Sequence, residues 1–300
     1  MSLKIKEILV TGENRLREAG CGDHRLDAEL LLLFVLKCGR SKLFTIKNAP
    51  LDEKLCEEYF RLLDVRASGT PVQYITGVQE FMGLSFLADR RALIPRQDTE
   101  TLVERVLEHM KNAPRPRGDW KILDLCTGSG AVAVSLCAHA GHARLIASDI
   151  SGEALALAKE NAARTGVRKR VRFVRGDMFA AFRSGFAGRK FDIIVSNPPY
   201  IPTDVLPALQ REIYEHEPLL ALDGGADGLD AYRKIAKAAD YLRKNGMLFL
   251  EIGYDQADAV TGLLEESGAY ADIVRAQDLA GRDRVITARL AAGSGRKNKR

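Results

Sequence analysis

From residue 121 to residue 252 the chain alternates strand-like and helix-like segments, and this rhythm restricts the fold more than any other feature. Strand-like runs occupy 121–125, 145–149, 171–176, 192–196 and 247–252. Helical patterns separate most of them, notably 152–164 and 226–244. Parallel strands need crossover connections, so regular alternation implies a mostly parallel sheet covered by helices on both faces. Two late runs, 271–276 and 284–290, are divided by a short loop containing Gly281 that leaves no room for a helix. They are expected as an antiparallel pair at one sheet edge. The fold class is α/β, a doubly wound sheet.

The region before this one has a different character. Residues 3–68 read as helical. Asp23 stands where a helix cap is wanted, ahead of an apolar face of Leu26, Leu30, Leu33, Phe34 and Cys38, and Gly39 is the expected stop. A second helix follows Asp52, with Leu55, Tyr59, Leu62 and Leu63 on one side, and stops at Gly69-Thr70-Pro71. Residues 79–87 and 91–94 suggest a hairpin turning near Asp89. A helix over 101–110, begun by Asp98 or Thr99, then leads into the linker Asn112-Ala113-Pro114-Arg115-Pro116. The expected organisation is a helical substrate-docking domain at 1–78, a β-hairpin connector at 79–97, an α/β domain at 98–292 and a disordered basic tail at 293–300.

Composition excludes several classes. With 46% hydrophobic and 28% charged residues over 300 positions, the chain has a globular balance. Its strongest apolar run, 30–36, is far below the roughly 20 residues a membrane-spanning helix needs. The N-terminus interleaves lysine with apolar residues and offers no secretory core, so a cytoplasmic protein is expected. Five scattered cysteines form no C-x-x-C pair and no metal spacing with histidine, which reads as reduced thiols and no metal site. The net charge of +5 invites nucleic acid, but four basic residues lie in the last five positions, and acidic and basic groups balance over residues 1–100. The cluster Arg164, Arg168, Lys169, Arg170, Arg172 and Arg175 reads as a solvated loop entering a strand. No stable nucleic-acid binding and no membrane contact are expected, and the protein is expected to be a monomer.

The first strand of the α/β region ends in Asp124-Leu125-Cys126-Thr127-Gly128-Ser129-Gly130, followed by a helical run. Glycines at a strand-to-helix turn allow close approach of a ligand to backbone, and a helix N-terminus presents unpaired N–H donors. The second strand ends in Asp149, nineteen residues beyond Gly130, where a carboxylate accepts hydrogen bonds from ribose hydroxyls. Together they point to an adenosine-type cofactor. The full dinucleotide fingerprint is missing, so the loop alone leaves NAD and nucleotide-sugar chemistry open. The form Asp-x-x-x-Gly-x-Gly resembles motif I of class I S-adenosylmethionine methyltransferases, a superfamily that places an acid near the adenine amino group where Asp177 stands.

The fourth strand ends in Asn197-Pro198-Pro199-Tyr200. Two prolines fix φ and remove two donors, giving a stiff turn with free carbonyl oxygens. The Asn197 side-chain oxygen and the Pro198 carbonyl each suit one hydrogen of a planar –NH2 group, with Tyr200 to stack on its plane. An amide nitrogen is a poor nucleophile because its lone pair is shared with the carbonyl. Two acceptors on its hydrogens raise electron density at nitrogen and aim it, and fixed dipoles act most where charge develops.

This tetrapeptide resembles the signature of amino-group methyltransferases acting on DNA adenine or cytosine, RNA guanine or protein glutamine. The flanking blocks discriminate among them. Residues 66–77, Phe81-Met82-Gly83, 93–100, Glu217-Pro218, 221–228, Glu251-Ile252-Gly253 and Asp283-Arg284-Val285 are similar to the release-factor glutamine N5-methyltransferase family. The resemblance runs from about Leu26 to Ile286. It implies a class I, Rossmann-like domain that uses S-adenosylmethionine to methylate the glutamine of the Gly-Gly-Gln motif in class I peptide chain release factors. It further implies cofactor contacts from Cys126, Thr127, Gly128, Ser129, Gly130, Asp149, Met178 and Asn197. Asn197, Pro198, Pro199 and Tyr200 would hold the glutamine, with Asn197, Pro198 and Tyr200 carrying the catalysis. The family usually has proline where Gln97 stands and often glycine where Cys126 stands; neither change removes a reacting group. The alternative is a DNA or RNA amino-group methyltransferase of the adenine-N6 type.

Overall fold

Seven strands form the central sheet of the computed structural model, in the order β5-β4-β3-β6-β7-β9-β8. These are β3 (Trp120–Leu125), β4 (Ala143–Asp149), β5 (Val171–Arg175), β6 (Phe191–Ser196), β7 (Leu242–Glu251), β8 (Tyr270–Gln277) and β9 (Asp283–Leu290). β3, β4, β5, β6 and β7 run parallel, whereas β9 pairs antiparallel with both β7 and β8. The expected doubly wound sheet with its antiparallel edge is therefore present. The structure describes residues 4–182 and 190–292, and the basic tail expected at 293–300 lies outside them.

The described residues divide into two compact units, one comprising the chain up to Val78 with Gln210–His216, the other Gln79–Leu209 with the chain from Glu217. The first contains α1 (Ile5–Glu18), α2 (His24–Leu36), α3 (Arg40–Ile46), α4 (Glu53–Ala67) and α5 (Val72–Thr76). Ile8, Leu16, Ala28, Leu31, Leu32, Tyr59 and Leu63 make its core. Asp52 caps α4 by accepting from the N–H groups of Lys54 and Leu55, as its sequence position suggests. The face assigned to α2 is corrected. Leucines surround this helix, so an i, i+4 pattern fits more than one stripe. The buried stripe is Ala28, Leu31, Leu32 and Val35, leaving Leu26 and Phe34 exposed. It also carries Asp27, whose carboxylate takes the buried Arg66 guanidinium at 2.6 Å. α2 ends before Gly39, with Lys37 in the left-handed region as its C-cap.

A short hairpin, β1 (Val78–Phe81) and β2 (Leu84–Leu87), starts at the last residue of the first unit and continues into the second. Its turn is Met82-Gly83, not the region of Asp89. Both residues have positive φ, 51° and 69°, the two-residue geometry that matches the twist of paired strands. Residues 91–94 form no strand: the Ile94 N–H is spent on the Glu217 carboxylate. α6 (Asp98–Asn112) then precedes β3, and α7 (Ala131–His139), α8 (Gly152–Arg164) and α11 (Ala257–Glu266) cover the sheet. Ile122, Leu123, Leu145, Ile193, Ile194, Leu248 and Leu250 are all buried, the pattern of strands covered on both faces. The helix expected over 226–244 is much shorter. α10 is only Asp230–Ile235, a 3-10 turn continues to Tyr241, and β7 already starts at Leu242. Gly225 and Gly228 at positive φ hold the preceding residues in a loop. The remaining short helix, α9 (Arg211–His216), belongs to the first unit.

Candidate active site

The chain starts the sheet at its centre, winds outward through β3, β4 and β5, then returns to β6 beside β3. At such a switch point neighbouring connections leave in opposite directions and open a crevice beyond the strand ends. A cavity of about 530 Å3 lies there, lined by residues that follow β3, β4, β5 and β6.

The turn after β3 is built around Asp124. Its buried carboxylate accepts from the Thr127 hydroxyl at 2.6 Å, and the Thr127 N–H reaches the Ser148 carbonyl at 3.0 Å. Burial pushes Asp124 up to about 7, against the pull of the Thr127 bond. Gly130 sits at φ 82°, and a Cβ there would lie 3.0 Å from that of Ala158, so helix α8 can pack closely against the turn. Asn161, fully buried, holds the same turn from below. It donates to the Ser129 carbonyl at 3.0 Å and accepts from the Leu87 N–H at 2.7 Å.

Asp149 ends β4 in the cavity wall. One carboxylate oxygen accepts from the Gly128 N–H at 2.8 Å, the other from Ser151 N–H at 2.9 Å. Burial raises its pKa, and these backbone bonds oppose the rise. Asp149 thus braces the glycine turn as well as facing the cavity. Beyond β5, Met178 lines the wall with its sulfur 3.8 Å from that of Cys126. The neighbouring Phe179 instead stacks on Tyr241, centroids 4.5 Å apart. Asp177, also on the wall, is ion-paired with Lys234 at 2.9 Å.

After β6 the chain turns through Asn197, whose Nδ2 donates to the Thr99 hydroxyl oxygen at 3.1 Å. No described residue donates to its Oδ1. The Tyr200 carbonyl is held by the Gln256 side chain at 2.8 Å, and Gly224 packs so closely that a Cβ would meet the Tyr200 backbone at 2.8 Å. Burial, reinforced by the nearby Glu251 charge, pushes the Tyr200 phenol up to about 12.

Of the residues singled out from sequence, Cys126, Thr127, Gly128, Ser129, Asp149, Met178, Asn197 and Pro199 line the cavity together. Gly130, Pro198 and Tyr200 are not among its lining residues. The wall also includes Ile94, Arg96, Thr99, Pro218 and Asp223, to which sequence reasoning gave no role. Arg96 pairs with the buried Glu217, joining two of these stretches. The blocks 93–100 and 217–228 were visible as parts of the resemblance. What they lacked was a reacting group to signal a position in the site.

Both parts of the chain are similar to known proteins. Residues 7–77 match the PrmC N-terminal domain, and residues 122–217 match a methyltransferase domain. Over 287 residues the chain is 44% identical to the release factor glutamine methyltransferase of Moorella thermoacetica, spanning 95% of this chain and 98% of that one. It belongs to the release factor glutamine methyltransferase family. Identity to the Geobacter sulfurreducens member is 41%, over 95% of this chain and 96% of the relative, and to the Agrobacterium fabrum member 39%, over 94% and 96%. Membership closes the choice the glycine turn left open: the cofactor chemistry is methyl transfer from S-adenosylmethionine. Among the described residues no helix is long and apolar enough to cross a membrane, and no group of side chains could hold a metal ion.

Proposed function

We propose that this protein methylates the side-chain amide nitrogen, N5, of the glutamine in the Gly-Gly-Gln motif of class I release factors. The observation that carries this reading is the Asn197 amide, anchored through its NH2 group on Thr99 with no donor to its oxygen among the described residues. Such an oxygen is an acceptor waiting for an N–H.

The cavity suits S-adenosylmethionine. Its volume is in the range of small-molecule sites, it has a carboxylate at the end of β4 for a ribose, and Met178 and Ile150 supply apolar surface for a base. Cys126 to Gly130, Asp149, Met178 and Asn197 would hold it. When bound, it supplies an electrophilic methyl group on a sulfonium. Asn197 Oδ1 and the Pro198 carbonyl accept the two hydrogens of the glutamine amide, fixing its plane and raising electron density on nitrogen. Tyr200 covers the amide plane, held by Gln256 and Gly224 from behind. Orienting the nitrogen toward the methyl carbon removes much of the entropic barrier. The product nitrogen sheds its proton after transfer, so no strong base is required.

The helical unit up to Val78 is assigned to docking of the release factor, and a single copy of the chain suffices for the reaction. The adenine-methylating alternative would need phosphate contacts around the clamp, and the charge balance over residues 1–100 does not favour it. Asn197→Ala tests the reading. Single-turnover methylation of release factor should fall at least a hundredfold while S-adenosylmethionine binding changes little. Near-normal turnover would remove Asn197 from the chemistry.

A further inference from the structure

Behind Asn197 lies a buried polar cluster that the reaction as written does not use. Thr99, in the first turn of α6, is 4% exposed, and Glu251, the last residue of β7, is 1% exposed. Thr99 and Asn197 adjoin the Glu251 carboxylate closely enough to hold its pKa down, yet its Oε2 has no hydrogen-bond partner among the described residues. A buried carboxylate oxygen left unpaired is costly, so its retention calls for a reason.

From this geometry we infer that Thr99 and Glu251 are positioning residues that set which way round the Asn197 amide stands; the inference rests on the acceptor role given to Asn197 above. An ionised carboxylate only accepts hydrogen bonds. The Thr99 hydroxyl must then donate its one hydrogen to Glu251, which leaves its oxygen free only to accept. The group on Asn197 that faces Thr99 is therefore the NH2, as the 3.1 Å Nδ2 contact has it, and Oδ1 is turned outward. A protonated Glu251 reverses this logic. It can donate to the Thr99 oxygen, freeing the hydroxyl hydrogen for Asn197 Oδ1, and a flipped amide would present NH2 to the substrate NH2. That arrangement repels.

The surroundings of Glu251 make the switch accessible. Asp98 lies on α6 and Arg284 on β9, the two paired at 3.0 Å, and Arg284 also meets Asp278 at 3.3 Å. Tyr232 on α10 donates to the Glu251 backbone carbonyl at 2.8 Å, and Tyr200 and Arg96 stand nearby with Tyr200 far from ionising. Burial pushes Glu251 up to about 7; the bonds from Thr99 and Asn197 and the Arg284 charge hold it down, while Asp98 adds to the rise.

The test uses the full chain, release factor and labelled S-adenosylmethionine, with single-turnover rates followed from pH 6 to 9 and cofactor affinity by calorimetry. The wild-type rate should fall on the acid side with an apparent pKa near 7. Thr99→Val should cut the rate at pH 8 at least tenfold with cofactor affinity within threefold, and Thr99→Ser should recover most of the loss. Glu251→Gln, whose oxygen still accepts but cannot titrate, should abolish the acid limb. Wild-type turnover in Thr99→Val, or an unchanged acid limb in Glu251→Gln, overturns the inference. Asn197→Ala separates the two levels: if it collapses turnover while the Thr99 and Glu251 variants behave as wild type, only the positioning role falls. If Asn197→Ala is itself unaffected, both fall. Should Glu251→Gln fail to fold, the valine and serine variants of Thr99 still decide.

Discussion

Replacing Asp149 with alanine removes an acceptor that braces the glycine turn and that is assigned here to the ribose. Its oxygens take the N–H groups of Gly128 and Ser151 at 2.8 and 2.9 Å, and each keeps lone-pair capacity toward the cavity for a ribose hydroxyl. A hydrogen bond to a charged acceptor contributes about 1.5–3 kcal/mol, so each lost ribose bond weakens binding by roughly ten- to 150-fold. Loss of the brace on Gly128 adds to this, because the turn must then be ordered by the ligand itself. Stability should change less, since the two freed N–H groups can recruit water from the cavity and a desolvated carboxylate has been removed. Calorimetric titration with S-adenosylmethionine gives the affinity, and a thermal melt of the free protein checks the fold. An affinity within threefold of wild type in a folded variant would refute the assignment of Asp149 to the ribose.

Two further predictions concern buried charge. Arg66, 4% exposed, binds Asp27 at 2.6 Å and Glu212 at 2.5 Å, so Arg66→Met leaves Asp27 without its counter-ion and should cost about 3–5 kcal/mol in urea denaturation; a loss below about 1 kcal/mol would contradict the pairing. Asp124 has its folded pKa raised from 3.8 to about 7, so the folded state holds more protons than the unfolded between these values. Wild type should therefore lose stability relative to Asp124→Asn as pH rises from about 4 to 7, and the difference should be constant above that; denaturation midpoints that keep a fixed offset across the range would exclude it.

Some of this architecture was open to reading and some was not, for physical reasons. Strands buried on both faces are short apolar runs bounded by turn residues, so β3, β4 and β6 stood out to within two residues. The antiparallel pair at the edge followed from the length of the loop between β8 and β9 alone. A helix such as α2, apolar nearly all round, carries no period strong enough to say which stripe is buried. That choice belonged to the Asp27–Arg66 pair, thirty-nine positions apart. The hairpin turn was misplaced because Met82, a residue that rarely takes positive φ, supplies half of it.

The site divides in the same way. Glycines, a strand-end acid and Asn197 to Tyr200 announce themselves because their chemistry is unusual for their position. Thr99 and Glu251 look like any helix-start threonine and strand-end glutamate until α6 and β7 bring them to the back of Asn197. The bracing of the glycine turn by Asp149 was likewise invisible without the fold.

The most direct test of the account is the position of the transferred methyl group. Intact class I release factor is incubated with the protein and S-adenosylmethionine, and its peptides are sequenced by mass spectrometry beside a parallel incubation with duplex DNA. One methyl group on the side-chain amide of the glutamine that follows the two glycines, lost when that glutamine is replaced by alanine, is the predicted result. Methyl groups on DNA, or on a release factor lacking that glutamine, would contradict it.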